Sequence, residues 1–177
     1  MQKLLEDGQV NIAVEVQPDN ASLYYSQPFI AYSNYAFYHS NIELALNSMD
    51  DLRSYSVCAW QNASKHLNIE GWTAKKNNYW EYPEQKWQVA DFLNRRCEVL
   101  LIDDTLLNWH LKQFNSRWGE SVQQAEIGAF NKVLLPTEKN PLWFYVGFTD
   151  KAMRDAFDAQ LTQLKQSGQY EKIRQDF

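Results

Sequence analysis

The sequence lacks basic blocks, long hydrophobic runs and low-complexity segments. Its 17 Lys and Arg residues are outnumbered by 22 Asp and Glu residues, and the net charge is −5. We therefore expect no nucleic acid partner and no anionic membrane surface as a partner, because both are bound by concentrated positive charge. Every apolar run is shorter than the roughly 20 residues of a membrane-spanning helix, so we also expect no membrane insertion.

Metal-binding patterns are absent as well. His39, His66 and His110 have no ligand spacing with each other, with cysteines or with carboxylates, so we predict no metal site and no cofactor. The N-terminal residues contain no signal peptide in the chain as given. Cys58 and Cys97 each lie in a segment that the pattern assigns to a buried strand. We favour two free, buried thiols over a disulfide, because spacing alone does not show that the disulfide geometry is met.

The composition is that of an ordinary folded protein, and strand patterns alternate with helix patterns. Hydrophobic residues make up 45% and charged residues 22% of the 177 residues, enough for one good core or two small lobes. The alternation predicts βαβ units, parallel sheets and an α/β fold. The predicted strands cover residues 10–16, 56–60, 78–82, 98–102 and 130–135, and the predicted helices cover 42–52, 63–67, 85–94 and 106–114.

The tail gives the clearest local prediction. Residues 142–148 form an apolar run that predicts a buried strand, and Asp150 is a candidate helix N-cap. Gly168 stands where a left-handed C-cap would end the helix that follows. Four apolar residues between these caps recur at i, i+4, i+8 and i+11, on one helix face. They are Met153, Phe157, Leu161 and Leu164.

Five segments carry a resemblance to a known family. They are residues 4–11, 25–29, 51–64, 93–103, and the tail through Gly168, Tyr170 and Ile173. In this order they resemble the family 3 extracellular solute-binding proteins, the type II periplasmic receptors that deliver amino acids and similar polar solutes to ABC importers. The resemblance implies a fold of two α/β lobes, a small polar ligand, no catalysis, a periplasmic location and an ABC transporter permease as partner.

The resemblance also implies a division into two lobes, of which the first is incomplete. Receptors of this type begin with a strand, a helix and a second strand ahead of the segment where this sequence starts. We therefore expect an N-terminally truncated receptor or a fragment of a longer gene product. Lobe one would comprise residues 1–33 and 143–177, lobe two residues 38–137, and the crossovers residues 30–41 and 136–143.

An incomplete lobe one has a consequence for assembly. Without their neighbouring strands, residues 10–16 and 143–146 would have unpaired edges and a thinly covered apolar face. Exposed strand edges pair with other chains. We therefore expect a homodimer or a larger assembly through this lobe.

One binding element of the family is missing. Its amino acid binders usually place Thr-x-x-Arg ahead of the segment that matches residues 25–29, and that Arg grips the ligand carboxylate in a bidentate fork. Residues 15–20 read Glu-Val-Gln-Pro-Asp-Asn and contain no Arg. The standard carboxylate clamp is therefore absent.

Ligands of open α/β sheets lie beyond the carboxyl ends of the strands, and this rule selects the candidate site. Asp103 ends the predicted strand at 98–102. The resemblance implies that Asp103 holds the ammonium group of a ligand, and a helix N-cap is the alternative. Gln61, Asn62 and Ser64 form a strand-to-helix turn. By resemblance, Ser64 and nearby backbone N–H groups bind a carboxylate, and simple capping is again the alternative.

Four further residues complete the candidate set. Glu15 and Gln17 lie at the end of the first strand, where a carboxylate would favour a cationic partner, although a solvated loop charge accounts for it as well. Trp60 and Tyr35 are the aromatic residues nearest the predicted cleft. Either could form part of a pocket wall or simply fill a core.

Three functions follow from these residues. We rank first a non-catalytic solute-binding protein, or its truncated remnant, with an amino-acid-like or cationic ligand. A ligand-sensing regulatory domain of the same fold is second. A dehydratase-like enzyme is third, because it needs a paired acid and base near an anion clamp, and only Asp103 and Glu15 are available.

Overall fold

The computed structural model describes residues 2–118 and 129–175. The chain divides into two compact units, Met1–Ala31 with Trp143–Phe177 and Tyr32–Leu142, which we call unit one and unit two. Each unit combines a β-sheet with helices, which confirms the predicted α/β class. Across the described parts of the chain, every helix falls short of the length and hydrophobicity that a membrane span requires.

The elements of both units follow in chain order. The strands are β1 (Ile12–Val16), β2 (Tyr24–Tyr25), β3 (Ile30–Tyr32), β4 (Asn34–His39), β5 (Val57–Trp60), β6 (Tyr79–Tyr82), β7 (Val99–Asp103), β8 (Phe130–Leu134) and β9 (Leu142–Phe148). The helices are α1 (Gln2–Glu6), α2 (Ala63–His66), α3 (Glu70–Thr73), α4 (Gln85–Leu93), α5 (Asp104–Trp118), α6 (Lys151–Gln166) and α7 (Gln169–Gln175), with a 3₁₀ turn at Met49–Leu52.

The sheet of unit one is centred on β9. β1 pairs antiparallel with one side of β9, and β2 pairs antiparallel with the other. The prediction of parallel sheets is therefore wrong for this unit, and the predicted free edge at residues 143–146 is wrong as well. The chain after β2 covers that edge, because the backbone N–H groups of Ser26 and Phe29 donate to β9 carbonyls at 2.9 Å. β1 lies at the end of the sheet, as predicted for residues 10–16.

The tail forms the predicted strand, helix cap, helix and glycine stop, although Met153 at the start of the apolar face is exposed. The Asp150 carboxylate accepts a hydrogen bond from the Met153 backbone N–H at 2.7 Å and caps α6. Gly168 has φ +75° and follows the end of α6, in the left-handed region that glycine adopts without steric cost. On the apolar face, Leu161 is buried and the Phe157 ring packs against Phe148. This face holds α6 against its own sheet.

The sheet of unit two has the order β6-β5-β7-β4-β8. β5 pairs parallel with β6 and β7, which confirms the prediction there, while β4 pairs antiparallel with β7 and β8. Successive side chains alternate between two faces, and each face buries its own apolar cluster. Ala36, Val57 and Leu101 belong to one cluster, and Phe37 and Leu100 belong to the other.

Two helix predictions in unit two need correction. The helix predicted at 42–52 is only the turn Met49–Leu52. The Asp51 carboxylate accepts hydrogen bonds from the backbone N–H groups of Asn47 and Ser48 at 2.8 and 2.9 Å, and such local bonds compete with helix formation. The short helix α3 was not predicted, and it buries Trp72 in the core.

The cysteines of unit two form a disulfide, so the prediction of two free thiols is wrong. Cys58 and Cys97 are bonded across a Cα–Cα distance of 6.0 Å. β5 and β7 are neighbours, with Cys58 opposite Leu100, and Cys97 lies just before β7 rather than inside a strand. Both cysteines face the same buried cluster. The strand order therefore brings together two residues that are 39 positions apart in the sequence.

The ammonium group of Lys76 joins the segment at residues 52–55 to the segment at residues 76–78. Its Nζ donates to the carbonyl oxygens of Leu52 at 2.9 Å and Tyr55 at 2.6 Å, and to Oδ1 of Asn78 at 2.8 Å. Burial lowers the pKa of Lys76. We expect Lys76→Met to lower the free energy of unfolding by about 2 kcal/mol in urea titrations, because these oxygens lose a charged donor.

Lys75 offers a matched control for that substitution. It precedes Lys76 and its side chain is exposed. Lys75→Met should change the free energy of unfolding by less than about 0.5 kcal/mol, as exposed substitutions usually do. Equal effects of the two substitutions would contradict the role given to the Lys76 ammonium.

Candidate functional site

The candidate site lies where the parallel strands of unit two end. Because β6, β5 and β7 run parallel, their carboxyl ends meet at one edge of the sheet. β5 leads into the turn at residues 61–64, and β7 ends at Asp103. The structure therefore places four of the predicted residues at this edge: Gln61, Asn62, Ser64 and Asp103.

The donors predicted to hold a ligand carboxylate are occupied by the side chain of Glu81. This residue lies on β6, next to β5. Its Oε2 accepts from the Asn62 backbone N–H at 2.7 Å, and its Oε1 accepts from the Ser64 backbone N–H at 2.8 Å. The Tyr79 hydroxyl donates to Oε1 at 2.8 Å. A carboxylate of the chain itself thus lies where the resemblance puts the carboxylate of a ligand.

The electrostatics of this cluster keep Glu81 ionised. Burial by itself would raise the pKa of Glu81, but the hydrogen bonds from Ser64, Tyr79 and Asn62 outweigh burial and hold that pKa below its ordinary value. Burial, followed by the bond to Glu81, raises the pKa of Tyr79, so this hydroxyl remains a donor. Glu81 is therefore a resident anion at neutral pH.

The turn is bound mainly through its backbone, and among its side chains that of Ser64 also hydrogen-bonds to Glu81. Asn62 has φ +63° and precedes α2, but its side chain makes no capping hydrogen bond. The Gln61 backbone N–H donates to the Tyr82 carbonyl at 2.9 Å and extends the pairing of β5 with β6. The side chains of Gln61 and Asn62 are both exposed. Their contact with a ligand stays a prediction.

Asp103 is the N-cap of α5. Its Oδ1 accepts from the backbone N–H groups of Thr105 at 2.9 Å and Leu106 at 3.3 Å, and its Oδ2 accepts from Ser33 N–H at 2.9 Å. This confirms the capping alternative and explains why α5 begins at Asp104, two residues before the predicted start. Burial raises the pKa of Asp103, against the lowering effect of these bonds. A bond to a ligand ammonium stays a prediction.

Trp60 and Tyr35 pack on opposite faces of the sheet of unit two. Trp60 packs beside the cluster that contains Val57, and its indole Nε1 lies 3.3 Å from His66 Nδ1. Tyr35 packs beside the other cluster, with the Lys132 Nζ 4.5 Å from its ring centroid. The structure therefore gives both residues a packing role and does not bring them to a common pocket wall.

Glu15 and Gln17 belong to unit one. Glu15 is exposed and has φ +56°, at the point where the pairing of β1 with β9 shifts register. The Gln17 side-chain Nε2 donates to the Trp143 carbonyl at 2.9 Å. A role in ligand binding stays a prediction for both residues.

Sequence reasoning missed Glu81 and its partner Tyr79. The pattern at residues 78–82 predicts the strand correctly, but a charged residue inside a strand does not by itself indicate a site. The available signal was the single carboxylate of Glu81 between two aromatic residues, Trp80 and Tyr82, in a predicted strand. Among the described residues, no group of three or more His, Cys, Asp and Glu is placed to hold a metal ion.

Comparison with known proteins supports the fold. Neither a protein-family model nor a curated protein matches the chain. An amino acid ABC transporter substrate-binding protein, AbpA from Streptococcus pneumoniae bound to L-arginine, superposes with a TM-score of 0.72 at 15% identity, over 99% of this chain and 70% of that one. A histidine kinase sensor domain similar to periplasmic binding proteins superposes with a TM-score of 0.70 at 16% identity, over 99% and 73%.

A third solved structure agrees with the first two. The arginine-, lysine- and histidine-binding protein ArtJ from Geobacillus stearothermophilus superposes with a TM-score of 0.64 at 13% identity, over 98% of this chain and 72% of that one. All three comparisons cover nearly the whole chain. The chain therefore has the fold of the type II periplasmic binding proteins, shared with amino acid ABC transporter substrate-binding proteins.

Proposed function

We propose that the chain is a non-catalytic binding module for a small cationic solute, of the substrate-binding type that serves amino acid ABC transporters. The observation that carries the proposal is that the Glu81 carboxylate accepts hydrogen bonds from the backbone N–H groups of Asn62 and Ser64. These donors are already satisfied by an anion, and residues 15–20 contain no Arg to clamp a second one. A cationic solute without a carboxylate needs neither these N–H donors nor an Arg clamp.

Several observations support the cationic choice. AbpA is bound to L-arginine, and ArtJ binds arginine, lysine and histidine, so similar folds accept solutes with cationic side chains. At the edge of unit two, Glu81 is held ionised and Asp103 supplies a second carboxyl group. Burial lowers the pKa of nearby His66, which favours its neutral form. We propose that Asp103 contacts the solute cation through its remaining acceptor capacity.

The proposed setting is extracytoplasmic, with the two units as the two lobes of a receptor. The Cys58–Cys97 disulfide supports an oxidising compartment such as the periplasm, because disulfides persist there. A permease would then be the transport partner. A homodimer through β1 is supported by its position at the end of its sheet and by the exposed side chains of Ile12 and Val14.

A sensory role is the second candidate. It is supported by the histidine kinase sensor domain that superposes on the chain. Such a domain would bind the same solute and transmit its presence instead of delivering it. Catalysis is not proposed, because the Asp103 carboxylate is engaged as a helix cap and the solved neighbours are named as binding proteins or a sensor domain.

A pair of matched ligands tests the proposal. Arginine and agmatine carry the same guanidinium group, but only arginine has a carboxylate. We expect agmatine to raise the melting temperature of the chain and arginine to do so less, at equal ionic strength. A ligand at about 100 times its Kd adds about 2.7 kcal/mol to the free energy of unfolding.

The outcomes of this screen are distinct. Glutamate and succinate at the same concentration serve as anionic controls and should leave the melting temperature unchanged. Stabilisation by arginine and glutamate, with none by agmatine, would contradict the cationic assignment. No stabilisation by agmatine, putrescine or any amino acid would contradict solute binding altogether.

A further inference from the structure

A groove in unit two lies between the start of α4 and the middle of α5. It has a volume of about 510 Å³. That volume is within the range of small-molecule sites in proteins. The groove shares no lining residue with the Glu81 cluster. Its principal lining residues are Gln85, Trp87, Trp109, His110, Gln113 and Phe114.

Two tryptophans give the groove its apolar surface. Trp87 on α4 is 55% exposed and Trp109 on α5 is 45% exposed. An indole that remains this exposed has a large hydrophobic area still available for burial. The two indoles belong to different helices and border the same groove. A flat ligand could therefore cover apolar area from both helices.

His110 gives the groove a polar group with donor and acceptor atoms. Its side chain lines the groove, yet the residue is only 8% exposed. Within the described ranges 2–118 and 129–175, no group hydrogen-bonds to its imidazole, and its ring contact is with Trp109 at 4.8 Å between centroids. Burial lowers the pKa of His110. The neutral imidazole thus offers one donor and one acceptor to a ligand in the groove.

The charges at the rim of the groove cancel. Lys86 and Glu84 form an ion pair with each other, and the Lys86 Nζ lies 5.2 Å from the centroid of the Trp87 ring. A cationic ligand would therefore meet an indole face already next to an ammonium group. An anionic ligand would meet a neutral imidazole and a paired lysine. The groove thus fits a neutral ligand.

We infer that this groove binds a neutral sugar ring. One face of a pyranose carries C–H groups that stack on an indole, and its edge carries hydroxyl groups that both donate and accept hydrogen bonds. The imidazole of His110 and the amides of Gln85 and Gln113 are matching partners, since each has donor and acceptor atoms. A purely aromatic ligand would stack on the indoles but leave the imidazole unpaired.

The test follows tryptophan indole N–H signals of the whole chain by NMR. The probes are methyl β-glucopyranoside, methyl β-galactopyranoside and N-acetylglucosamine, with indole as the aromatic counter-probe. We expect at least one sugar at about 10 mM to shift the Trp87 and Trp109 signals, with a Kd in the millimolar range. Trp80 and Trp143, exposed by 45% and 47%, are internal controls whose signals should not move.

Variants locate the binding. Trp109→Ala should weaken sugar binding at least tenfold, and Trp80→Ala should leave it unchanged. Both residues are exposed, so neither substitution should prevent folding, and His110→Gln then tests the polar contact. The inference is overturned if no sugar moves the two signals, if all four tryptophans respond alike, or if only indole binds. Agmatine should not move the Trp109 signal, so this result is independent of the proposed solute.

Discussion

Reduction of the Cys58–Cys97 disulfide is expected to lower the free energy of unfolding by about 4 kcal/mol. The bond closes a loop with a sequence separation of 39 residues, and opening that loop returns conformational entropy to the unfolded chain. Both cysteines are buried within one core cluster, so the native packing should survive reduction. For a chain of this size, the loss corresponds to a fall of about 10 °C in melting temperature.

Urea titrations of the oxidised and reduced chain measure this difference. The control is a double variant, Cys58→Ala with Cys97→Ala, whose unfolding midpoint should not respond to the reductant. A reductant effect of the same size in this variant would mean that the effect has another origin. Equal midpoints for oxidised and reduced wild type would contradict the presence of the bond in solution.

The disulfide also shows where sequence reasoning stopped. The sequence pattern assigns both cysteines to buried strands, but it does not give the strand order of unit two. β6 is the next strand after β5 in the sequence, but β5 also pairs with β7 in the sheet. The start of β7 brings Cys97 to Cys58. Strand order depends on contacts between distant segments, and no local pattern around either cysteine encodes it.

Elements with strong local signals were predicted well. The buried strand β7 is a continuous apolar run, and α6 has both a side-chain cap at Asp150 and a glycine stop at Gly168. The prediction of a helix at 42–52 failed because the Asp51 carboxylate accepts hydrogen bonds from backbone N–H groups that would otherwise donate within a helix. The prediction of parallel strands failed in unit one for a topological reason. The central strand of that sheet, β9, comes from the far end of the chain and pairs antiparallel with β1 and β2.

The candidate site shows the same division. The rule that ligands lie beyond the carboxyl ends of strands selected the turn at residues 61–64 and Asp103 correctly as neighbours of one sheet edge. The residues of that turn do not predict which group accepts hydrogen bonds from its backbone N–H groups. Glu81 reaches them from β6, and its pairing with β5 is again a tertiary contact. The chemistry of the edge therefore depends on a residue outside both predicted clusters.

Replacement of Glu81 by alanine is expected to lower the free energy of unfolding by about 3 kcal/mol. The backbone N–H groups of Asn62 and Ser64 and the Tyr79 hydroxyl would all lose an ionised acceptor. Glu138→Ala is the control, because Glu138 is exposed and surface substitutions usually change stability by less than about 0.5 kcal/mol. Equal midpoints in urea for the two variants would contradict the role of Glu81.

The pH dependence gives this prediction a second measurement. The folded chain holds the pKa of Glu81 below its ordinary value of about 4.3. Its contribution to stability is therefore complete above that ordinary value and is lost as the pH falls through the folded pKa. The stability difference between wild type and Glu81→Gln should be constant from pH 7 to about 5 and shrink towards pH 3. A difference that does not change with pH would show that the carboxylate charge is not what stabilises the turn.

The same residue connects stability with selectivity. If Glu81 keeps ligand carboxylates away, then Glu81→Ala should lose part of its preference for agmatine over arginine, because the two backbone N–H groups become available and a repelling charge is removed. Ligand-induced stabilisation, measured against each variant's own melting temperature, separates this effect from the lower stability of the variant. An unchanged preference in Glu81→Ala would mean that Glu81 only caps the turn, and that the missing Arg alone sets the ligand class.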